Sequence, residues 1–238
     1  EGIWVPPLGI PAPSFGIEEV HTTYSGQTYD FGSPIGVSSY PIGDNGPYTH
    51  YIDNTHQSST DTNNTYGTPD RPRLTIPLDL TAGSIVEIHS GVYDYSIAGV
   101  QCPIFGSGTV ELPIFVRGIG SPHLLGVCST YNGIEGHLDD MHQYIIIEGI
   151  VFQGFDVLAP ANHICVRNCE TDGSLAGVPG WGGLRVASYS FNSPARFANN
   201  IVFYHNTIHD NMDWQNQIGD TDNHGINLGY NCSYIWIL

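Results

Sequence analysis

A short stretch recurs in the second half of the chain and constrains the fold more than any other feature. Ile201-Val202-Phe203-Tyr204-His205-Asn206-Thr207-Ile208-His209-Asp210-Asn211 alternates apolar residues at Ile201 and Phe203, bends at an Asn and resumes at Ile208. Ile145 to Gly154 and Ile164 to Gly173 have the same shape, and Ile235-Trp236-Ile237-Leu238 begins it again. A strand-turn-strand unit repeated this way builds a stack, because one unit cannot bury its apolar face alone. The starts lie 19, 37 and 34 residues apart. A hairpin meander needs tight turns at a spacing of roughly 8–12 residues. Long, unequal spacings suit a solenoid with a constant wall and variable loops. After residue 80 no apolar stripe has helical period and length.

Aligning the repeats gives rows. Ile145, Ile164 and Ile201 share the first position, and Ile147, Val166 and Phe203 the third. Period-two alternation turns both rows inward. Glu148, Arg167 and Tyr204 share the fourth position and face outward. Ile150, Cys169 and Asn206 fall at the bend, where an Asn amide bonds turn backbone, so Asn206 is expected to be structural. Residues 1–47 have no sustained period and carry Trp4-Val5-Pro6-Pro7 and Pro11-Ala12-Pro13. They predict an irregular Pro/Gly-rich arm lying along the scaffold or covering its end. Residues 48–238 predict one all-β domain.

Within that domain, Tyr48-Thr49-His50-Tyr51-Ile52-Asp53 leads through a polar loop to Gly67-Thr68-Pro69 and Arg73-Leu74-Thr75-Ile76. Ala82-Gly83-Ser84-Ile85-Val86-Glu87-Ile88-His89 follows and ends in Gly91-Val92-Tyr93. These segments resemble the first coils of secreted right-handed parallel β-helix proteins, the pectate lyase-like superfamily of polysaccharide lyases and epimerases. The resemblance implies a right-handed parallel β-helix over residues 48–238, a secreted or cell-surface location and activity on an acidic polysaccharide. It carries no catalytic signature of one lyase family.

Composition narrows the function. The chain has 238 residues, 23 acidic and 6 basic, for a net charge of −17, and all six basic residues are Arg. That balance argues against a phosphate-neutralising nucleic-acid surface and against attraction to an anionic membrane. It suits divalent cations and an extracellular setting, or solubility alone. No apolar run is long enough to span a bilayer. Glu1 opens without a basic or apolar leader pattern, so no signal peptide is expected within these residues. The five Cys, at 102, 128, 165, 169 and 232, show no zinc-like spacing. They read as small buried thiols, with one disulfide in an oxidising compartment as the alternative.

Two long loops lie between the repeats: Gly173–Gly183, with Gly-Trp-Gly-Gly at 180–183, and Met212–Gly225, rich in Asp and Asn. Loops on a rigid scaffold usually carry its function. Asp220 and Asp222, two apart, offer hard oxygens to Ca²⁺ or simply shape a turn. Trp181 and Trp214 offer ring faces to sugars or fold back onto the wall. A polyuronate lyase needs a carboxylate clamp, a base and an acid. Without Lys, the candidates are Arg167 and Arg185 as clamps, His209 or His224 as base and Tyr204 as proton donor. Arg71 and Arg73 read instead as ion-pair partners of Asp70 and Asp79.

Two functions fit. One is a secreted lyase or epimerase acting on an acidic polysaccharide. The other is a non-catalytic extracellular module: an adhesin, a surface-layer or filament component, or a glycan-binding part of a larger protein. The incomplete repeat at Ile235 leaves an apolar strand edge, which predicts cover from further chain or another subunit.

Overall fold

The computed structural model describes residues 15–16, 48–95, 102–104, 106–130, 141–175, 183–187, 196–210, 225–229 and 231–238. Trp181, Trp214, Asp220, Asp222 and His224 lie outside them. The described chain is all-β apart from one short 3₁₀ turn, Gly173–Leu175, and every pair of strands is parallel. None of its helices is long and apolar enough to cross a membrane.

The strands form two sheets. The first stacks His50–Ile52, Ile85–His89, Ile114–Ile119, His142–Glu148, Ala161–Arg167, Ala198–Tyr204 and Cys232–Ile237 in that order. In the second, Val151–Leu158 pairs with His123–Ser129 on one side and with Glu170–Asp172 and Gly183–Ala187 on the other. Those two strands pair in turn with Thr207–His209 and Ile226–Leu228. Each repeat crosses from the first sheet to the second, so successive repeats lie in register, as in a β-solenoid.

The expected register holds. Ile145, Ile164, Ile201 and Ile235 are direct partners down the first sheet, as are Ile147, Val166, Phe203 and Ile237. Among them, Ile145, Ile147, Ile164, Val166, Ile201 and Phe203 are buried in one core shared with Phe152, Phe155, Leu184 and Val186 of the second sheet. A buried Ile or Phe contributes about 1.5–3 kcal/mol over an exposed one, so repeating the pattern builds the core rung by rung. The strand Cys232–Ile237 ends the first sheet, with Tyr234 and Ile237 exposed.

Two columns of left-handed backbone run through the stack. Gly149, Asn168 and His205 turn the chain between sheets with φ of 68°, 50° and 52°. Tyr144, His163, Asn200 and Tyr234 have φ of 52–55° and stand outside the pairing of their neighbours. Each adds one residue to its strand at the same height. That is why Ala161 and Ile164, three apart, both reach the core. A left-handed non-Gly residue costs roughly 1–2 kcal/mol. Stacking between neighbours, such as the Tyr144 and His163 rings at 4.6 Å, offsets part of it.

Tyr51, Glu87, Arg117, Glu148, Arg167 and Tyr204 form one continuous ladder on the outer face of the first sheet. Half of the row is covered: Glu87, Arg117 and Arg167 are buried, and Tyr51, Glu148 and Tyr204 are half-buried. Beside it lies a second apolar cluster of Ile85, Phe115, Ile146, Cys165 and Val202, joined by Phe15 from the arm. The 1–47 arm was expected to lie along the scaffold, and Phe15 and Gly16 do so. The Phe15 ring meets Tyr144 at 5.5 Å and His163 at 5.9 Å. Arg73 departs from expectation and pairs with Asp61 at 3.4 Å.

Candidate functional site

The second sheet changes character from one repeat to the next. In the first it is a single strand, Val151–Leu158. In the next, the same wall is split into Glu170–Asp172 and Gly183–Ala187. In the third it is split into Thr207–His209 and Ile226–Leu228. Asp172 and His209 are register partners, and both chains leave the wall directly after them. They return side by side, where the Leu184 amide donates to the Gly225 carbonyl at 2.9 Å. Two long insertions therefore open at one point on neighbouring rungs. They account for most of the difference between the 19-residue repeat and its longer successors.

A titratable cluster stands at the foot of these insertions. Alternation turns Thr171 inward, fully buried, and presents Glu170 and Asp172 outward. His209 lies beside them on the next rung. Its Nε2 is 3.0 Å from Glu170 Oε1, and its Nδ1 is 2.8 Å from Asp210 Oδ2 and 3.9 Å from Asp172 Oδ1. The hydrogen bond to Asp210, then that to Glu170, pushes the imidazole up to about 9. His209 is therefore protonated at neutral pH, which opposes a role as general base and suits an acid or a cation. Glu170 also lines a cleft of about 290 Å³ with Asn168, His205 and Thr207 along the turn between the sheets.

Arg185 marks the other end of the insertions. Its Nε donates to Asp156 Oδ1 at 2.9 Å, and Nη2 makes a second contact with Oδ2. Burial raises the Asp156 carboxyl although Arg185 opposes the shift. This bidentate pair holds the guanidinium on the outer face two residues after the wall resumes.

The sequence-derived candidates thus divide between the sheets. His209 and Arg185 flank the insertions on the second. Arg167 and Tyr204 are register partners on the first. Arg167 is buried, donating from Nε to Glu148 Oε2 at 2.8 Å and from Nη1 to the Gly16 carbonyl at 2.6 Å. Tyr204 stacks on His205 at 4.0 Å. Glu170 and Asp172 were missed. The offset that aligns Ile164 with Ile201 also aligns Asp172 with His209, so the signal was present in the repeat itself. No protein-family model, curated protein or solved structure matches the chain.

Proposed function

We propose that the two sheets are walls of a right-handed parallel β-helix, and that this is an extracellular protein binding an acidic polysaccharide at the insertion-bearing face of the second sheet. The observation that carries the reading is that two neighbouring strands end at one height, on Asp172 and His209 beside Glu170, each followed in sequence by a long insertion. Trp181, Trp214, Asp220, Asp222 and His224 all belong to those insertions. A rigid wall bearing adjacent polar and aromatic loops is a usual arrangement for ligand contact.

An acidic glycan meets an acidic protein here, so a bridging cation is part of the proposal. Glu170, Asp172 and Asp210 supply oxygen donors, which suit Ca²⁺, whereas the His209 nitrogen does not. Ca²⁺ takes roughly six to eight oxygens. Glycan carboxylates and water would complete that set.

A second reading, lyase or epimerase chemistry, is favoured by one observation. Protonated His209 and the Arg185 guanidinium flank the same insertions. There His209 serves as the acid, Arg185 meets a uronate carboxylate after exchanging part of its contact with Asp156, and His224 is the base.

Calorimetric titration with polyuronate oligosaccharides, with and without Ca²⁺, tests the binding. The expected result is Ca²⁺-dependent binding weakened at least tenfold by Glu170→Gln with Asp172→Asn. Absence of binding under both conditions overturns it. Rising ultraviolet absorbance from unsaturated uronate products would assign the catalytic reading; binding without that rise would assign the module.

A further inference from the structure

Away from the insertions, one pair of side chains has chemistry that glycan binding does not use. Cys102 and Cys128 are direct register partners on the parallel strands Cys102–Pro103 and His123–Ser129. Both are fully buried in the main core, and both are thiols in this structure. Neighbouring strands run about 4.8 Å apart, inside the roughly 4.4–6.8 Å between Cα atoms that a disulfide spans. Register partners also project to the same side of a sheet, so the two Cβ atoms point together into the core.

The other three cysteines are placed differently. Cys165 belongs to the outer cluster, beneath Gly16. Cys169 lies at a turn, its Sγ donating to the Arg167 carbonyl at 3.3 Å. Cys232 begins the edge strand, its Sγ donating to the Gly229 carbonyl at 3.0 Å.

We propose that Cys102 and Cys128 form the chain's single disulfide, joining neighbouring rungs of the second sheet, while Cys165, Cys169 and Cys232 stay reduced. The step is a two-electron oxidation. The two thiols give up two protons and two electrons, and one S–S bond forms. A disulfide oxidant such as glutathione disulfide accepts them and becomes two thiols. Exchange needs a thiolate, and in the closed core burial and the neighbouring Cys102 hold Cys128 protonated. Both thiols are also fully buried, out of reach of a dissolved oxidant, so the bond forms during folding, before this rung closes.

The test is refolding of reduced, denatured protein in a glutathione/glutathione disulfide mixture, followed by alkylation under denaturing conditions and mass spectrometry. Three alkylated cysteines are expected, with a fragment linking Cys102 to Cys128. The link should survive Cys165→Ala and vanish in Cys128→Ala. Fragment sequencing of the wild-type protein locates it even if a variant fails to fold. Five alkylated cysteines, or a disulfide that includes Cys165, Cys169 or Cys232, overturns the proposal.

Discussion

Arg167 Nη1 donates a 2.6 Å hydrogen bond to the backbone carbonyl of Gly16, across 151 residues of sequence. The same guanidinium binds Glu148 on the preceding rung. It therefore ties the arm to the wall while neutralising a carboxylate beneath it. Arg167→Met removes both contacts and leaves Glu148 without this partner. We expect a loss of about 2–4 kcal/mol in denaturant unfolding, short of the full cost of a sealed ion pair because Glu148 keeps some exposure. Adding Glu148→Met should restore most of it.

Gly16 has its own requirement. Its φ is +87°, and a Cβ placed there would overlap the Cβ of Cys165. Gly16→Ala should lift the arm at this point at a cost of roughly 1–3 kcal/mol. Faster hydrogen exchange in Ala161–Arg167 would report it, with Gly183–Ala187 unchanged. Cys165→Gly should relieve part of the clash.

His50 gives the fold an acid limit. Burial, followed by the charge of Arg73, lowers its imidazole from 6.5 to about 4. The folded chain binds that proton less readily than the unfolded one. The stability is thus present above pH 6.5 and lost as pH falls towards 4, by about 3 kcal/mol in all. His50→Gln should flatten this limb of the stability curve relative to wild type.

His209 works in the opposite direction. Its folded value of about 9 lies above the ordinary 6.5. Its contribution is fully present below pH 6.5 and disappears as pH rises through 9. NMR titration of its ring protons should show the raised midpoint. Asp210→Asn should lower it more than Glu170→Gln. Salt should lower it too, since the group lies at the surface.

Asn206 joins two repeats. Its Oδ1 accepts from the Cys169 amide at 3.0 Å, and its Nδ2 donates to the Val166 carbonyl at 2.8 Å. Asn206→Ala should cost about 1–3 kcal/mol by leaving those backbone groups unpartnered. Chemical denaturation measures it directly.

The inward rows and the structural role of Asn206 were readable in the chain because alternation and repeat spacing are local patterns. The same offset could have revealed Asp172 opposite His209. The left-handed Tyr144 and His163 could not be read this way: a single Tyr or His inside an alternating strand carries no turn signal, and the stacking that offsets part of their cost joins two different rungs. Nor could the burial of Arg167, which depends on where an aperiodic arm lands.

The rung-by-rung register also has a mechanical consequence. Under tension applied through Tyr48 and Leu238, the strand Cys232–Ile237, which among the described residues pairs only with Ala198–Tyr204, loses its partners first. Peeling inward from there releases chain in lengths set by the spacing of equivalent rungs, 34, then 37, then 19 residues. At about 3.4 Å per extended residue, these are steps of roughly 115, 125 and 65 Å. A force–extension trace would read the two insertions as a pair of long steps before a short one.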